Sequence, residues 1–409
     1  MTNYRYIERI SGPTILSASK NFRVIYVGGP RQVGKTTLLL HLSKQHKMGY
    51  VSLDDPEKRR LAKTDPGLFL QQFPPPLFID EAQYAPELFP HIKMIVDRHK
   101  ENGLYWLSGS QHFSMIRGLQ ESLAGRVGII SLLGLSFAEK EGLAIPEHPF
   151  SPTKLLPDCK IKWTLPDLFQ HLFLGSFPAL ASGEVQDRER FYASYIQTYL
   201  DRDVTGLFGI QNVDDFHRVL TILAARTAQI LNVTAIATEA SLPVSTVRSW
   251  LSILEATGIL FLLKPYTSNL TKRVTRSPKI YILDTGLVAF LTKWQSAQTL
   301  MHGAMAGALF ETFVVSEILK SYQFRGKEAP IYFYRDKEKR EVDLLFDIDG
   351  MMYPLEIKMA SRVRQDDLKH IVYLREHTTN IGDAMVIGAY EQPMMFDRNT
   401  MLVPAWCIR

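Results

Sequence analysis

The chain has 409 residues, 46% of them hydrophobic and 22% charged, with a formal net charge of +5. That length is too great for one compact core and predicts several domains, while the composition excludes a disordered or fibrous chain. The mild positive charge does not by itself identify a polyanionic partner. Two distant cysteines, Cys159 and Cys407, give no basis for a disulfide scaffold or a zinc site. The N-terminus MTNYRYIERI lacks the apolar run of a signal peptide, and no apolar stretch reaches the roughly 20 residues of a membrane helix. The expectation is a soluble, cytoplasmic protein with no membrane partner.

Residues 1–20 read as a leader with a short helix. Val24–Val27 is a short apolar strand, followed by a Gly-rich turn and a helix over Lys35–Ser43. Gly49–Leu53 is a second strand, and Pro74-Pro75-Pro76 halts the chain before a third at Leu77–Ile79. Pro86–His99 reads as a helix and Leu104–Leu107 as a strand. Strands alternating with helices predict a parallel sheet covered on both faces. Around Pro146–Pro157 the composition turns to proline and polar residues, which puts a first boundary at residue 148. Residues 149–230 are mostly helical by apolar spacing, residues 231–285 hold two short helices and a basic hairpin, and residues 286–409 form a second α/β block. Its strands are expected near Ile331–Tyr334, Val342–Asp347 and Tyr353–Ile357. The fold class is α/β and multidomain.

Gly29-Pro30-Arg31-Gln32-Val33-Gly34-Lys35-Thr36 fits G-x-x-x-x-G-K-[ST] between an apolar strand and an apolar helix. Glycines allow positive φ, so successive N–H groups turn inward around phosphate oxygens, and the helix N-terminus directs its dipole at the same anion. Lys35 supplies a cation to the β- and γ-phosphates of ATP, and Thr36, followed by Thr37, a hydroxyl for Mg²⁺. Phe78-Ile79-Asp80-Glu81 ends an apolar strand in two acids. Asp80 is expected to hold Mg²⁺ through water, and Glu81 to orient and deprotonate the attacking water. Ser110, in Ser108-Gly109-Ser110-Gln111, is a candidate sensor of the γ-phosphate. Arg126 is a candidate arginine finger from a neighbouring subunit in a homo-oligomer, or else a structural surface arginine.

The runs GGPRQVGKTTLLLHL, LFIDEAQYAPELF, YWLSGSQHFSMI and ESLAGRVGIISLLGLSFAE resemble a prokaryotic group of AAA-type ATPases near the archaeal-ATPase branch of signal-transduction-type NTPases. YIQTYLDRDV, ILDTGLVAFL and GALFETFVVSEILK extend the resemblance over nearly the whole chain. It implies a P-loop AAA-type core (1–148), a winged helix (231–285) and a C-terminal PD-(D/E)XK nuclease-like domain of formally unknown function (286–409), and the helical stretch between, 149–230, reads as a lid or linker.

Val233, Ile236 and Ala237 mark one short amphipathic helix, Ser241-Leu242-Pro243 a turn, and Val244, Val247, Leu251 and Leu254 the inward face of a second. Its outward face carries Ser245, Arg248, Ser249 and Ser252, which suit a DNA groove. The following hairpin, with Lys264, Lys272, Arg273, Arg276 and Lys279, reads as a wing whose cations meet DNA phosphates, or as a solvated wing used for protein contacts.

In Glu356-x-Lys358 both side chains share one strand face, and a hairpin brings Asp343 beside them. Glu311, on a helix over Ala308–Lys320, is a candidate fourth group. The trio resembles the PD-(D/E)XK nuclease core, with Val342-Asp343 in place of Pro-Asp. That resemblance implies carboxylates holding Mg²⁺ or Mn²⁺ and a lysine that polarises water. A surface salt bridge, or a nuclease relic that binds DNA without cutting it, remain open alternatives. Two functions follow: an ATP-dependent DNA-processing enzyme, or a nucleotide-controlled regulatory switch whose C-terminal half binds a protein partner or DNA without cleavage.

Overall fold

The computed structural model describes residues 6–109, 122–153, 163–199, 205, 210, 212–267 and 277–409. α1 (Ser11–Asn21) leads into β1 (Val24–Gly28), whose five residues are all buried. A strand covered on both faces has no polar side, so VIYVG runs without alternation. The first unit continues with α2 (Lys35–Ser43), β2 (Gly49–Ser52), α3 (Pro56–Thr64), α4 (Pro66–Gln72), β3 (Leu77–Asp80), α5 (Leu88–Arg98), β4 (Tyr105–Gly109) and β5 (Val127–Ser131). Asp55 starts α3 by accepting from the amides of Glu57 and Lys58, with Pro56 at the first helical position. The strands run in the order β2-β3-β4-β1-β5, every pair parallel. β1 lies between β4 and β5, so the loop after it sits inside the carboxyl edge of the sheet, where open α/β sheets bind ligands.

Next come α6 (Phe137–Glu141), α7 (Leu165–Leu174), α8 (Pro178–Ala181), α9 (Arg188–Tyr199) and α10 (Val213–Ala225). β6 (Gln229–Ile230), α11 (Val233–Ala240), α12 (Val244–Ala256), β7 (Leu260–Leu263) and β8 (Lys279–Ile282) form a helix pair beside a small antiparallel sheet ordered β6-β8-β7. α12 buries Val247, Trp250, Leu251 and Leu254. Val244, expected on that inward face, is 36% exposed. It is the first residue of the helix, and the buried face includes Trp250 as well.

The last unit contains α13 (Thr285–Leu291), α14 (Ala297–Met301), α15 (Ala306–Gln323), β9 (Ile331–Arg335), β10 (Glu341–Ile348), β11 (Met351–Ile357), α16 (Lys369–His377), β12 (Ala384–Gly388), β13 (Met394–Asp397) and β14 (Thr400–Pro404). Its sheet is mixed, ordered β13-β14-β12-β11-β10-β9. It meets the small sheet where the Tyr266 amide donates to the Phe333 carbonyl at 2.6 Å and the Phe333 amide to the Lys264 carbonyl at 3.1 Å.

α15 is apolar on nearly every side, the pattern of a helix enclosed by protein. Three of its polar groups bond the segment from Leu135 to Phe150, which follows β5. Glu317 accepts from the Phe137 amide at 2.7 Å, Lys320 donates to the Leu135 carbonyl at 2.9 Å, and Ser321 accepts from the Phe150 amide at 3.2 Å. One apolar core accordingly runs from Ile10 to Ile408. The C-terminus folds back as well, with Arg409 donating to the Ala144 carbonyl at 3.2 Å.

Cys407 is buried and disulfide-bonded, which corrects the reading of two distant cysteines as no basis for a disulfide. Cys159 lies outside the described residues. Among the described residues no helix is long and apolar enough to cross a membrane.

Candidate functional site

The loop between β1 and α2 is shaped by its backbone. A Cβ at position 29 would stand 2.0 Å from the Leu132 carbonyl oxygen, so only glycine lets the loop pass that close. Gln32 at φ 61° and Gly34 at φ 90° then turn the chain into α2. Lys35, 7% exposed, donates from Nζ to the carbonyls of Gly29 at 3.0 Å and Pro30 at 2.7 Å, which holds the ammonium at the mouth of the loop. Arg31 reaches Tyr84 Oη at 3.5 Å.

Thr36 Oγ1 donates to the Asp80 carboxylate, 2.9 Å from Oδ1 and 3.0 Å from Oδ2. Asp80 ends β3 and Ser108 lies near the end of β4; the parallel register pairs Ile79 with Leu107 and so sets the two next to each other. Ser108 Oγ donates to Asp80 Oδ1. A hydroxyl and a buried carboxylate are hard oxygen donors, which fit Mg²⁺. Glu81 follows at φ 56°, and the Gln83 amide donates to its Oε2. Burial pushes the Glu81 carboxyl above the usual carboxylate range, with the Lys35 ammonium and the Gln83 bond pulling the other way.

Arg9 was not legible as a site residue. Its guanidinium, 4% exposed, donates to the Val33 carbonyl at 2.7 Å, the Leu133 carbonyl at 2.8 Å and Glu139 Oε1 at 3.1 Å. It braces the phosphate loop from behind. Glu139 is held in turn by the amides of Ile10 and Ser136. Between this brace and α8 lies a cavity of about 210 Å³, lined by Tyr6, Ile7, Gly34, Thr37, Leu38 and Pro178 among others. The buried Tyr6 Oη beside it has no hydrogen-bond partner. On the opposite side of the loop, Pro30 packs against Gly258, where a Cβ would stand 3.1 Å from the proline ring.

Arg126 sits away from the loop. Its carbonyl accepts from the Val24 amide at the amino end of β1, and its guanidinium pairs with Asp97, Nη2 to Oδ2 at 3.0 Å. The phosphate loop leaves the other end of β1, so Arg126 does not reach the nucleotide site of its own chain. Ser110 lies outside the described residues; Ser108, two residues earlier, is the serine that touches Asp80.

On α12, Ser245, Arg248, Ser249 and Ser252 are exposed, as expected. Lys272, Arg273 and Arg276 lie outside the described residues. Lys279, expected on a wing facing DNA, is instead 3% exposed and points into the C-terminal unit. Its Nζ lies 2.6 Å from Glu341, 3.1 Å from Glu311 and 3.9 Å from Asp343. It is the central strand of the small sheet, β8, that carries it inward.

The register pairing Leu344 with Leu355 sets Asp343 beside Glu356. Lys358 Nζ lies 2.9 Å from Glu356 and 3.8 Å from Asp343, and the Ile357 amide donates to Asp343 at 2.9 Å. Asp343, Glu356, Lys358 and Glu311 thus converge. Glu311 also accepts from Tyr281 Oη at 2.7 Å. Burial, then the adjacent Asp343, pushes the Glu356 carboxyl well above the usual range, against the pull of Lys358. Among the described residues no three of these acids are spaced to hold a metal ion together, and the Lys279 ammonium stands between Glu311 and Asp343.

Residues 21–141 match the AAA domain family, residues 165–298 a domain of unknown function (DUF8612), and residues 306–408 a domain of unknown function (DUF4143). Uncharacterized proteins of Mycobacterium tuberculosis and Mycobacterium bovis are each 29% identical over 382 residues, covering 90% of this chain and 80% of theirs. The Walker-type ATPase of Pyrococcus abyssi is similar at 13% identity and a TM-score of 0.42, over 69% of this chain and 94% of that one. The Thermotoga maritima RuvB Holliday junction branch migration motor is similar at 15% identity and a TM-score of 0.31, over 61% and 86%. The chain therefore carries an AAA-type P-loop ATPase core, followed by two segments from families of unknown function.

Proposed function

We propose that the chain binds ATP with Mg²⁺ and hydrolyses it, and that the nucleotide governs how its later units engage DNA. The observation that carries the first part is the constellation of Lys35, Thr36, Asp80, Ser108 and Glu81 at the ends of three adjacent strands. Lys35 and the loop amides of residues 31–34 hold the phosphates, Thr36 and Asp80 hold the metal, and the cavity beside Tyr6 and Pro178 takes the base. Bound Mg²⁺ neutralises phosphate charge. The oxygen of water bonds to the γ-phosphorus, the bond to the bridging oxygen breaks with its electrons going to ADP, and the water proton passes to Glu81. Arg126 acts on the site of a neighbouring subunit in a homo-oligomer. The test is binding and turnover in parallel. Lys35→Ala loses ATP binding, and Glu81→Gln binds ATP and loses all but residual hydrolysis. Parent-rate hydrolysis by Glu81→Gln defeats the assignment of the base.

The second part rests on the exposed face of α12. In a winged helix, Arg248 and its serine neighbours meet the groove while Lys272, Arg273 and Arg276 meet phosphates. Removing one cation from a phosphate lowers the log–log salt slope by roughly 0.9. Unchanged duplex affinity in the triple alanine variant moves the wing to protein contacts.

For the C-terminal cluster, cleavage by Asp343, Glu356 and Lys358 with Mg²⁺ or Mn²⁺, and Glu311 as a further ligand, is one reading. The insertion of Lys279 favours the other, a nucleotide-controlled switch that does not cut. Incubation with linear, branched and single-stranded DNA, with either metal and with or without ATP, decides it, Asp343→Ala being the control.

A further inference from the structure

Gln83 lies in the turn after Asp80-Glu81, and its carboxamide is used at only one end. Nε2 donates to Glu81 Oε2, while Oε1 is buried and, among the described residues, has no hydrogen-bond partner. A buried amide oxygen left unpaired is uncommon in folded protein and calls for a reason. The surroundings are fitted to it. Gly109 ends β4 directly after Ser108, and a Cβ at that position would stand 2.4 Å from Gln83 Oε1. The turn itself is fixed by Glu81 at φ 56° and by the Tyr84 amide donating to the Glu81 carbonyl at 3.0 Å. Tyr84 is covered by the Arg59 guanidinium, 4.2 Å from its ring. The acceptor is therefore held on a rigid turn beside Glu81 and next to the strand end that carries Ser108.

We propose that Gln83 positions the attacking water of ATP hydrolysis: Nε2 holds the Glu81 carboxylate and Oε1 accepts a hydrogen bond from the same water whose proton Glu81 takes. Gln83 exchanges no proton. It fixes the water between two acceptors, so that one lone pair faces the γ-phosphorus. This rests on the ATP-hydrolysis reading above.

The test is Gln83→Met, which keeps length and packing but offers neither donor nor acceptor. The expected result is a fall in kcat of roughly 30- to 100-fold, with KM and the directly measured Kd for ATP within about threefold of the parent. Gln83→Asn recovers part of kcat. In the Glu81→Gln background Gln83→Met causes no further loss, because the two residues act on one water. Parent kcat in Gln83→Met, a loss confined to KM, or independent multiplying effects in the double variant each overturn the proposal. If Gln83→Met does not fold, Gln83→Ala gives the same split, since it removes donor and acceptor without adding bulk. Lys35-dependent hydrolysis by the parent with no effect at Gln83 defeats this inference alone; a parent without Lys35-dependent hydrolysis defeats both readings.

Discussion

Thr36 and Asp80, 44 residues apart in sequence, are joined by the Thr36 hydroxyl, which donates to both carboxylate oxygens at 2.9 and 3.0 Å. The hydroxyl and the carboxylate are thus preset as one oxygen cluster before any cation binds. Asp80→Asn keeps the shape and removes the charge. The expected result is loss of the Mg²⁺ dependence of ATP binding and a fall in hydrolysis of about 100-fold or more. Titration of fluorescent nucleotide with and without Mg²⁺, alongside phosphate release, measures both.

Arg9 ties the phosphate loop to a buried acid. Arg9→Met leaves Glu139 uncompensated and two carbonyls unpaired. Breaking a buried pair from one side costs about 3–5 kcal/mol. Chemical unfolding is expected to register a loss of that order, and ATP is expected to raise the melting temperature less than in the parent. Equal stability and equal ATP-induced shifts would show that the loop holds its form without the brace.

Arg126 faces away from the phosphate loop of its own chain, so the proposed action on hydrolysis requires a second subunit. Arg126→Ala is expected to bind ATP normally and to lose about 1,000-fold in turnover. Mixing it with Lys35→Ala subunits restores part of the activity. A mixture as inactive as its components leaves Arg126 a partner of Asp97 and nothing more.

Lys279 neutralises acids contributed by α15 and β10. Lys279→Met is expected to destabilise the fold by about 3 kcal/mol or more, because buried Glu311 then loses its cation while Glu341 and Asp343 keep only Arg335 and Lys358. Mn²⁺ is expected to raise the melting temperature of the variant more than that of the parent. Identical Mn²⁺ responses would show that the acids cannot take a metal even when the ammonium is gone.

Lys140 is enclosed near Lys320, with Gly175 O at 2.6 Å and, among the described residues, no carboxylate in ion-pair reach. Burial, then Lys320, lowers its pKa from 10.5 to about 7. Between those values the unfolded chain holds a proton that the folded chain does not. Stability therefore rises with pH from about 7 to 10.5, and the penalty is complete below that window. Lys140→Met is expected to flatten the dependence by roughly 1 kcal/mol per pH unit, measured by unfolding between neutral pH and pH ~9.5.

The nucleotide site was legible because its chemistry lies in contiguous residues: Gly29–Thr36 and Asp80-Glu81 declare themselves by spacing and by the strands before them. The Asp343–Glu356–Lys358 convergence was legible for a related reason, since strand period and hairpin length fix which side chains meet. Arg9, Ser108 and Lys279 were not. Each acts through tertiary contact with a distant segment, and an arginine in a leader or a lysine in a basic hairpin carries no local mark of where it will point. Val244 fits the apolar spacing of its helix but opens it, and spacing alone does not register where a helix begins. Cys407 is disulfide-bonded, and no spacing rule registers that.

The packing of α15 has a consequence for how this chain can be divided. Residues 21–141, 165–298 and 306–408 are separable as stretches of sequence similarity. They are not separable as bodies. A chain ending before α15 would present the amide of Phe137 and the carbonyl of Leu135 without partners, over an apolar surface made to receive a helix. Swapping the last unit for that of a distant relative would disturb the first, and isolated segments are the wrong objects in which to look for the activities of the whole.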